Sequence, residues 1–176
     1  VFRVLLWAEA KEHRVSPIQL QLLIFLKYHP VTALRRIAFL AREFNLTKAT
    51  ISDSMRVLEE KGLVLRSDDV TDSRGYNFSL TEKGEELTAS VENFTGPLDG
   101  AIAALTVQQK EYLLSSVLDL IYRLNQMGII STQRMCFNCY YYNGDRAQNH
   151  FCNLVQAPLA YDSIRFECPE HKMKGK

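Results

Sequence analysis

The chain has 176 residues, 47% of them apolar and 23% charged, the composition of an ordinary globular protein; fibrous and disordered classes are excluded. No apolar run approaches the roughly 18 residues that a membrane span needs. The net charge is only +1, yet eight bases face four acids between residues 27 and 66, while three face ten between 67 and 119; such a cationic block is the footprint of a polyanion-binding face or, more commonly, a solvated helix face, and local pattern decides between them.

The chain opens at Val1 with no basic-then-apolar leader, so a cytoplasmic protein is expected. Phe2, Leu5, Leu6 and Ala8 recur at near-helical spacing and predict a helix that ends before His13. Ser16-Pro17-Ile18-Gln19 is a helix start: Ser caps, Pro is preorganised for the first turn and Gln19 completes a capping box. Leu20 to Leu26 fill that helix with apolar residues until His29-Pro30 stops it. Ile37, Leu40, Ala41 and Phe44 mark one face of a short helix over about 33–43. After a break at Asn45-Leu46, Thr47 caps a second helix that buries Ile51, Met55 and Leu58 and ends at Lys61-Gly62. Two helices with so tight a break form a helix-turn-helix.

Residues 63–66 and the alternating Tyr76, Phe78 and Leu80 predict two strands joined by the polar segment 67–75, a hairpin or wing. Thr81 caps a further helix to about Phe94, and Gly96-Pro97 with Gly100 predicts a break. Thr106 and Gln109 form another capping box, opening a long helix with a stripe of Leu114, Val117, Ile121 and Leu124.

In this element order, the block 36–52, the runs Leu58-Glu-Glu-Lys-Gly-Leu-Val64 and Ser79-Leu-Thr-Glu-Lys-Gly84, and Asp72-Ser-Arg74 resemble the winged helix-turn-helix of the MarR family of bacterial transcription regulators. The resemblance spans roughly residues 1–128. A helix lying in a major groove must present short polar and basic side chains from its first two turns, and Thr47, Lys48, Thr50, Ser52 and Arg56 meet that need. Arg35, Arg36 and Arg42 on the supporting helix are expected to be phosphate clamps, which position the protein without specifying sequence, or solvated charges, rather than base readers. By resemblance, Arg74 is the wing arginine that enters the minor groove and Asp72 is the acid that orients it. Two departures stand out. Only five residues separate Arg74 from Leu80, a stubby wing, and Asp53 stands where the family often has a base. That carboxylate either accepts from a cytosine or pairs with Arg56 or Lys48.

The resemblance also implies a homodimer whose terminal helices interleave, with an effector pocket between its dimer and wing lobes. The long helix's stripe, with Phe2, Leu5 and Leu6, supplies apolar surface for the dimer; the alternative is a stripe buried within one chain.

All four cysteines, Cys136, Cys139, Cys152 and Cys168, fall in the last 41 residues, outside the family pattern. Cys136-x-x-Cys139 has metal-knuckle spacing, and Cys152 and Cys168 complete four sulfur ligands. Zinc is the expected occupant. An iron–sulfur cluster, suggested by Cys168-Pro169, and unligated or redox-active thiols are the alternatives. His150 and His171 are reserve ligands, and Tyr140, Tyr141, Tyr142, Phe151 and Phe166 are candidates for a small core or for docking on the long helix.

The reading is therefore a mainly α chain: a winged helix-turn-helix with a helical dimerisation region and a small Cys-rich C-terminal module. Residues 1–15 form an N-terminal dimerisation helix, 16–94 the DNA-binding domain, 95–130 the C-terminal dimerisation helices and 131–176 the metal-binding tail. The expected function is a homodimeric, sequence-specific repressor acting on a double-stranded operator, without catalysis, whose tail staples the structure or senses metal or oxidant. The alternative is a winged-helix adaptor that binds protein and does not read DNA.

Overall fold

The computed structural model describes residues 1–69, 72–130 and 134–174, with the side chains of 69 and 72–75 outside that description. Two compact units, Val1–Ala101 and Ile102–Lys176, divide the chain. The first holds α1 (Phe2–Glu12), α2 (Pro17–Tyr28), a 3-10 turn (Thr32–Arg35), α3 (Ile37–Glu43), α4 (Lys48–Glu60), β1 (Val64–Asp69), β2 (Asp72–Leu80) and α5 (Glu82–Ser90). A further helix, α6 (Gly96–Ala103), spans the junction, and the second unit holds α7 (Val107–Gln126), β3 (Tyr142–Gly144), β4 (His150–Cys152) and β5 (Ala157–Pro158).

The helix starts follow local chemistry. The Ser16 hydroxyl accepts the Gln19 N–H at 3.3 Å, while the Gln19 side chain accepts the Ser16 N–H at 2.9 Å. Thr106 and Gln109 repeat the exchange at 3.2 and 2.9 Å. Two expectations need correction. The helix placed over 33–43 begins only at Ile37, because Arg36 is extended and its backbone pairs with Asn77 of β2, leaving residues 32–35 as a 3-10 turn. The break predicted at Gly96-Pro97 is instead the start of α6. Proline in a first helical turn loses no hydrogen bond, and one interior glycine costs only about 1 kcal/mol.

The first unit's core is built on α2, whose Leu20, Leu22, Leu23 and Leu26 are fully buried, with Leu40 of α3 and Ile51, Met55 and Leu58 of α4. The hairpin β1–β2 is antiparallel, running in register from Val64 opposite Leu80 to Asp68 opposite Tyr76, and it sends Val64 and Phe78 into the same core. Gly84 explains the end of the Thr-Glu-Lys-Gly run. A Cβ there would stand 2.1 Å from the Leu63 carbonyl oxygen, so α5 approaches the base of the wing only through a glycine. Thr81 fastens the same corner, accepting the Gly84 N–H at 3.0 Å and donating to the Gly62 carbonyl at 2.7 Å.

In the second unit, Leu118 of α7 is buried with Met135, Phe137, Cys139, Tyr142 and Ile164 of the tail. The long helix and the tail therefore share one core. Leu114 and Ile121, expected on the dimer stripe, pack against this core, whereas Leu113, Val117 and Leu120 are exposed. Of the tail aromatics, Tyr141 and Tyr142 join the core and Tyr140 and Phe166 are exposed. Tail strands β3, β4 and β5 form a small antiparallel sheet. Among the described residues, no helix is long and apolar enough to cross a membrane.

Candidate nucleic-acid interface and cysteine cluster

Helix α4 is amphipathic in the way a groove-reading helix must be. Its inner side is locked by Ile51, Met55 and Leu58, and its first two turns leave Thr47, Lys48, Thr50 and Asp53 exposed. Thr47 caps the helix by accepting the Thr50 N–H at 3.1 Å, and the two hydroxyls share a hydrogen bond of 2.8 Å. Ser52 is half-buried on the same surface. The exposed Arg56 donates to Glu60 at 2.7 Å and lies 4.0 Å from Asp53, so Asp53 takes the pairing expected with Arg56. Surface pairs of this kind contribute about 0–1 kcal/mol, and a phosphate can displace them cheaply.

The other predicted contacts diverge. Arg35 is held inside the fold: its Nε donates to the His29 carbonyl and its Nη2 to the Leu26 carbonyl, both at 2.7 Å. These are orphan acceptors at the C-terminal end of α2, where a cation is also favoured by the helix dipole. Burial pushes the guanidinium below its usual value, and Glu85 opposes that shift. Arg36 is half-buried at the start of α3, while Arg42 is exposed with its guanidinium carbon 5.2 Å from the Phe39 ring centre. Asp72 and Arg74 belong to β2, but they fall outside the residues whose side chains are described. The wing presents a cation that the sequence left as mere charge: Arg66 of β1 lies 3.6 Å over the ring of Tyr76 on β2. Its only sequence signal is the diagonal relation of positions 66 and 76, two residues off the Arg66–Phe78 pairing.

The four cysteines converge. All four line one cavity of ≈ 30 Å³ with Tyr141, Tyr142, Leu154, Leu159 and Glu170. None is in a disulfide. Two turns carry three of them. In residues 136–139 the Cys139 N–H donates to the Cys136 carbonyl at 2.9 Å, and in 168–171 the His171 N–H donates to the Cys168 carbonyl at 3.1 Å. The two turns lie side by side: Cys136 N–H donates to Arg165, Cys168 N–H to Arg134 and Lys174 N–H to Asn138. Cys152, at the end of β4 and paired with Tyr142, supplies the fourth sulfur.

The Arg165 N–H points at Cys136 Sγ at 3.4 Å, a bond that favours a thiolate. Burial nevertheless pushes the Cys136 thiol up, as do the other three sulfurs to a lesser degree. A bound cation relieves that crowding. Among the described residues, however, no three His, Cys, Asp or Glu groups are drawn in to the spacing of metal ligands. One ring nitrogen of each reserve ligand is engaged, while His150 Nε2 is buried without a hydrogen-bond partner among the described residues. His150 Nδ1 bonds the Tyr142 hydroxyl at 2.7 Å and its ring stacks on Phe137, while His171 Nε2 bonds Asn138 Oδ1 at 2.7 Å.

Comparison with known proteins agrees with this architecture. Residues 15–75 match the MarR family. Among solved structures, the chain is similar to S. aureus MepR in a DNA complex, with 22% identity over 66% of this chain and 85% of that one and a TM-score of 0.57. It is also similar to a MarR transcriptional regulator from Methanosarcina mazei Go1, with 19% identity, 72% and 88% coverage and a TM-score of 0.58. Streptococcus pneumoniae FabT in complex with DNA gives 17% identity, 71% and 90% coverage and a TM-score of 0.59. At these identities the likeness is one of fold.

Proposed function

We propose that this chain, matched to the MarR family over residues 15–75 and built on the same winged-helix fold, is a DNA-binding transcription regulator acting as a homodimeric repressor. The observation that carries this reading is α4. Its apolar side is fixed in the core, while its first two turns offer Thr47, Lys48, Thr50, Ser52 and Arg56, chemistry suited to base edges and phosphates. Arg66 on β1, and Arg74 in the wing as implied by resemblance, add contacts on the flanking backbone and minor groove. Dimerisation is supported by exposed apolar residues on two helices: Phe2, Val4 and Trp7 on α1, and Leu113, Val117 and Leu120 on α7. A two-fold dimer would set its reading helices on half-sites about one helical turn apart.

The cysteine cluster is read as a structural site for one metal ion. Four cysteine sulfurs lining one cavity are the donor set of a tetrahedral zinc, and an iron–sulfur cluster, the alternative, is separated from it by metal analysis. A metal would supply cross-linking, which a tail with five residues in its buried core among those described needs. A small-molecule effector remains part of the reading by resemblance alone.

The decisive experiment selects bound duplexes from a random library, then titrates the winner against salt. A regulator loses affinity steeply, with a logarithmic slope of about 0.9 per phosphate contacted, and Lys48→Ala lowers that slope by about one unit while relaxing no base preference. Occlusion of a promoter carrying the selected site tests repression. A protein that selects no duplex at low ionic strength is an adaptor instead. Metal content of protein purified without added metal, at one zinc per chain, tests the tail.

A further inference from the structure

A cleft of ≈ 580 Å³ lies within the second unit, lined by the C-terminal end of α7, the 136–139 turn, β3 and the last described residues. Its size is that of sites for small organic molecules, roughly 300–1,000 Å³. Two cations, Arg146 and Lys174, line it, and among the described residues no carboxylate does. Each cation rests against a tyrosine of the same lining: the Arg146 guanidinium carbon is 4.2 Å from the Tyr122 ring centre and Lys174 Nζ 5.6 Å from that of Tyr142. The acid nearest in sequence is otherwise bound. Asp145 accepts the N–H groups of Ala147, Gln148 and Asn149 at 2.9 Å each, and the Asn149 side-chain amide at 2.7 Å. Arg146 itself is held at φ +64°, a left-handed conformation that non-glycine residues adopt rarely and that recurs at ligand clamps. Asn125 and Asn138 brace the wall: Asn125 Nδ2 donates to the Ile130 carbonyl at 2.9 Å, Asn138 Nδ2 donates to Asn125 Oδ1 at 3.4 Å, and Asn138 Oδ1 bonds His171 Nε2 at 2.7 Å.

We propose that this cleft binds a small organic anion, its acid group paired with Arg146 and Lys174 and its flat ring set among the aromatic residues of the lining. An isolated pair of cations over tyrosines attracts either a carboxylate or a phosphate, and a guanidinium accepts two oxygens of either. Two of the lining residues also belong to the cysteine framework: Asn138 lies between Cys136 and Cys139, and Tyr142 pairs with Cys152 across β3 and β4. The inference rests on the folded tail alone and stands apart from the DNA reading, since duplex binding is measured separately.

The test is calorimetric titration of the full chain with benzoate and 5′-AMP, alongside the uncharged benzyl alcohol and adenosine. Saturable binding of one of the two anions, with its neutral counterpart roughly tenfold weaker or worse, is expected; benzoate identifies a carboxylate site and 5′-AMP a phosphate site. Arg146→Ala and Lys174→Ala should each weaken that binding roughly tenfold, with helical content and metal content unchanged. If Arg146→Ala unfolds the 145–149 loop, Lys174→Gln, on the exposed end of the chain, carries the test. The proposal is overturned if neither anion saturates at millimolar concentration, if the neutral rings bind as well as the anions, or if the Lys174 variants bind as the parent does.

Discussion

Arg35 was expected on the DNA and is found holding the end of a helix, and the two roles separate cleanly in experiment. Arg35→Ala removes two charge-assisted hydrogen bonds, to the Leu26 and His29 carbonyls at 2.7 Å each. Bonds to a charged donor contribute about 1.5–3 kcal/mol apiece, and water reaching the freed carbonyls offsets part of that, leaving a net loss of about 2–3 kcal/mol. For a unit near 100 residues this lowers the midpoint by roughly 10–15 °C. Arg35→Lys keeps the charge but not the fork that reaches both carbonyls, so it should recover only about half of the loss. Unit 1 is followed by the fluorescence of Trp7, the chain's one tryptophan, and duplex affinity is measured well below the midpoint. There the salt slope should match that of the parent protein. If instead Arg35→Ala melts normally and its salt slope falls by about one unit, Arg35 contacts phosphate and the assignment made from its hydrogen bonds fails.

Other residues give equally direct outcomes. Gly84→Ala places a methyl 2.1 Å from the Leu63 oxygen, and the forced shift of α5 against the wing should cost about 1–3 kcal/mol in chemical denaturation. Asp145 is held far below the usual carboxylate range by the N–H groups of its own loop; its contribution is present above the ordinary carboxylate pKa of about 4 and is lost as pH falls below it. The difference in tail stability between parent and Asp145→Ala should thus shrink on acidification, and a constant difference would refute the linkage. Leu120→Glu on the exposed side of α7 should yield monomers in sedimentation without lowering helical content. Cys152→Ser should reduce bound zinc below one per chain, and an unchanged stoichiometry would remove that sulfur from the site.

What the sequence made legible was what is decided locally. Ser16, Thr47, Thr81 and Thr106 cap their helices as expected because a hydroxyl needs only the N–H three residues on. The period of α4 separates its core side from its exposed side for the same reason. Residues whose role is set across the fold were less legible. Arg35 carries the charge of a phosphate clamp, and only the folded chain brings the α2 carbonyls to it. On α7 apolar residues occur on both sides, so periodicity could group Leu114 with Ile121 but could not say that the tail covers them while Leu113, Val117 and Leu120 stay bare. Arg66 depends on strand register, which the hairpin sets at long range. The cysteines were half legible: the x2 spacing named one pair, and the convergence of Cys152 and Cys168 required the sheet and the paired turns.

Those paired turns have a topological corollary. Because the segment around Cys136 is stitched by backbone hydrogen bonds to the segment around Cys168, the polypeptide between them is a closed loop with its two stems fastened together. A protease that cuts the exposed stretch at 153–156 would open the loop without freeing either stem. The nicked protein would migrate as a single species under native conditions until denaturant broke the hydrogen bonds that join the stems.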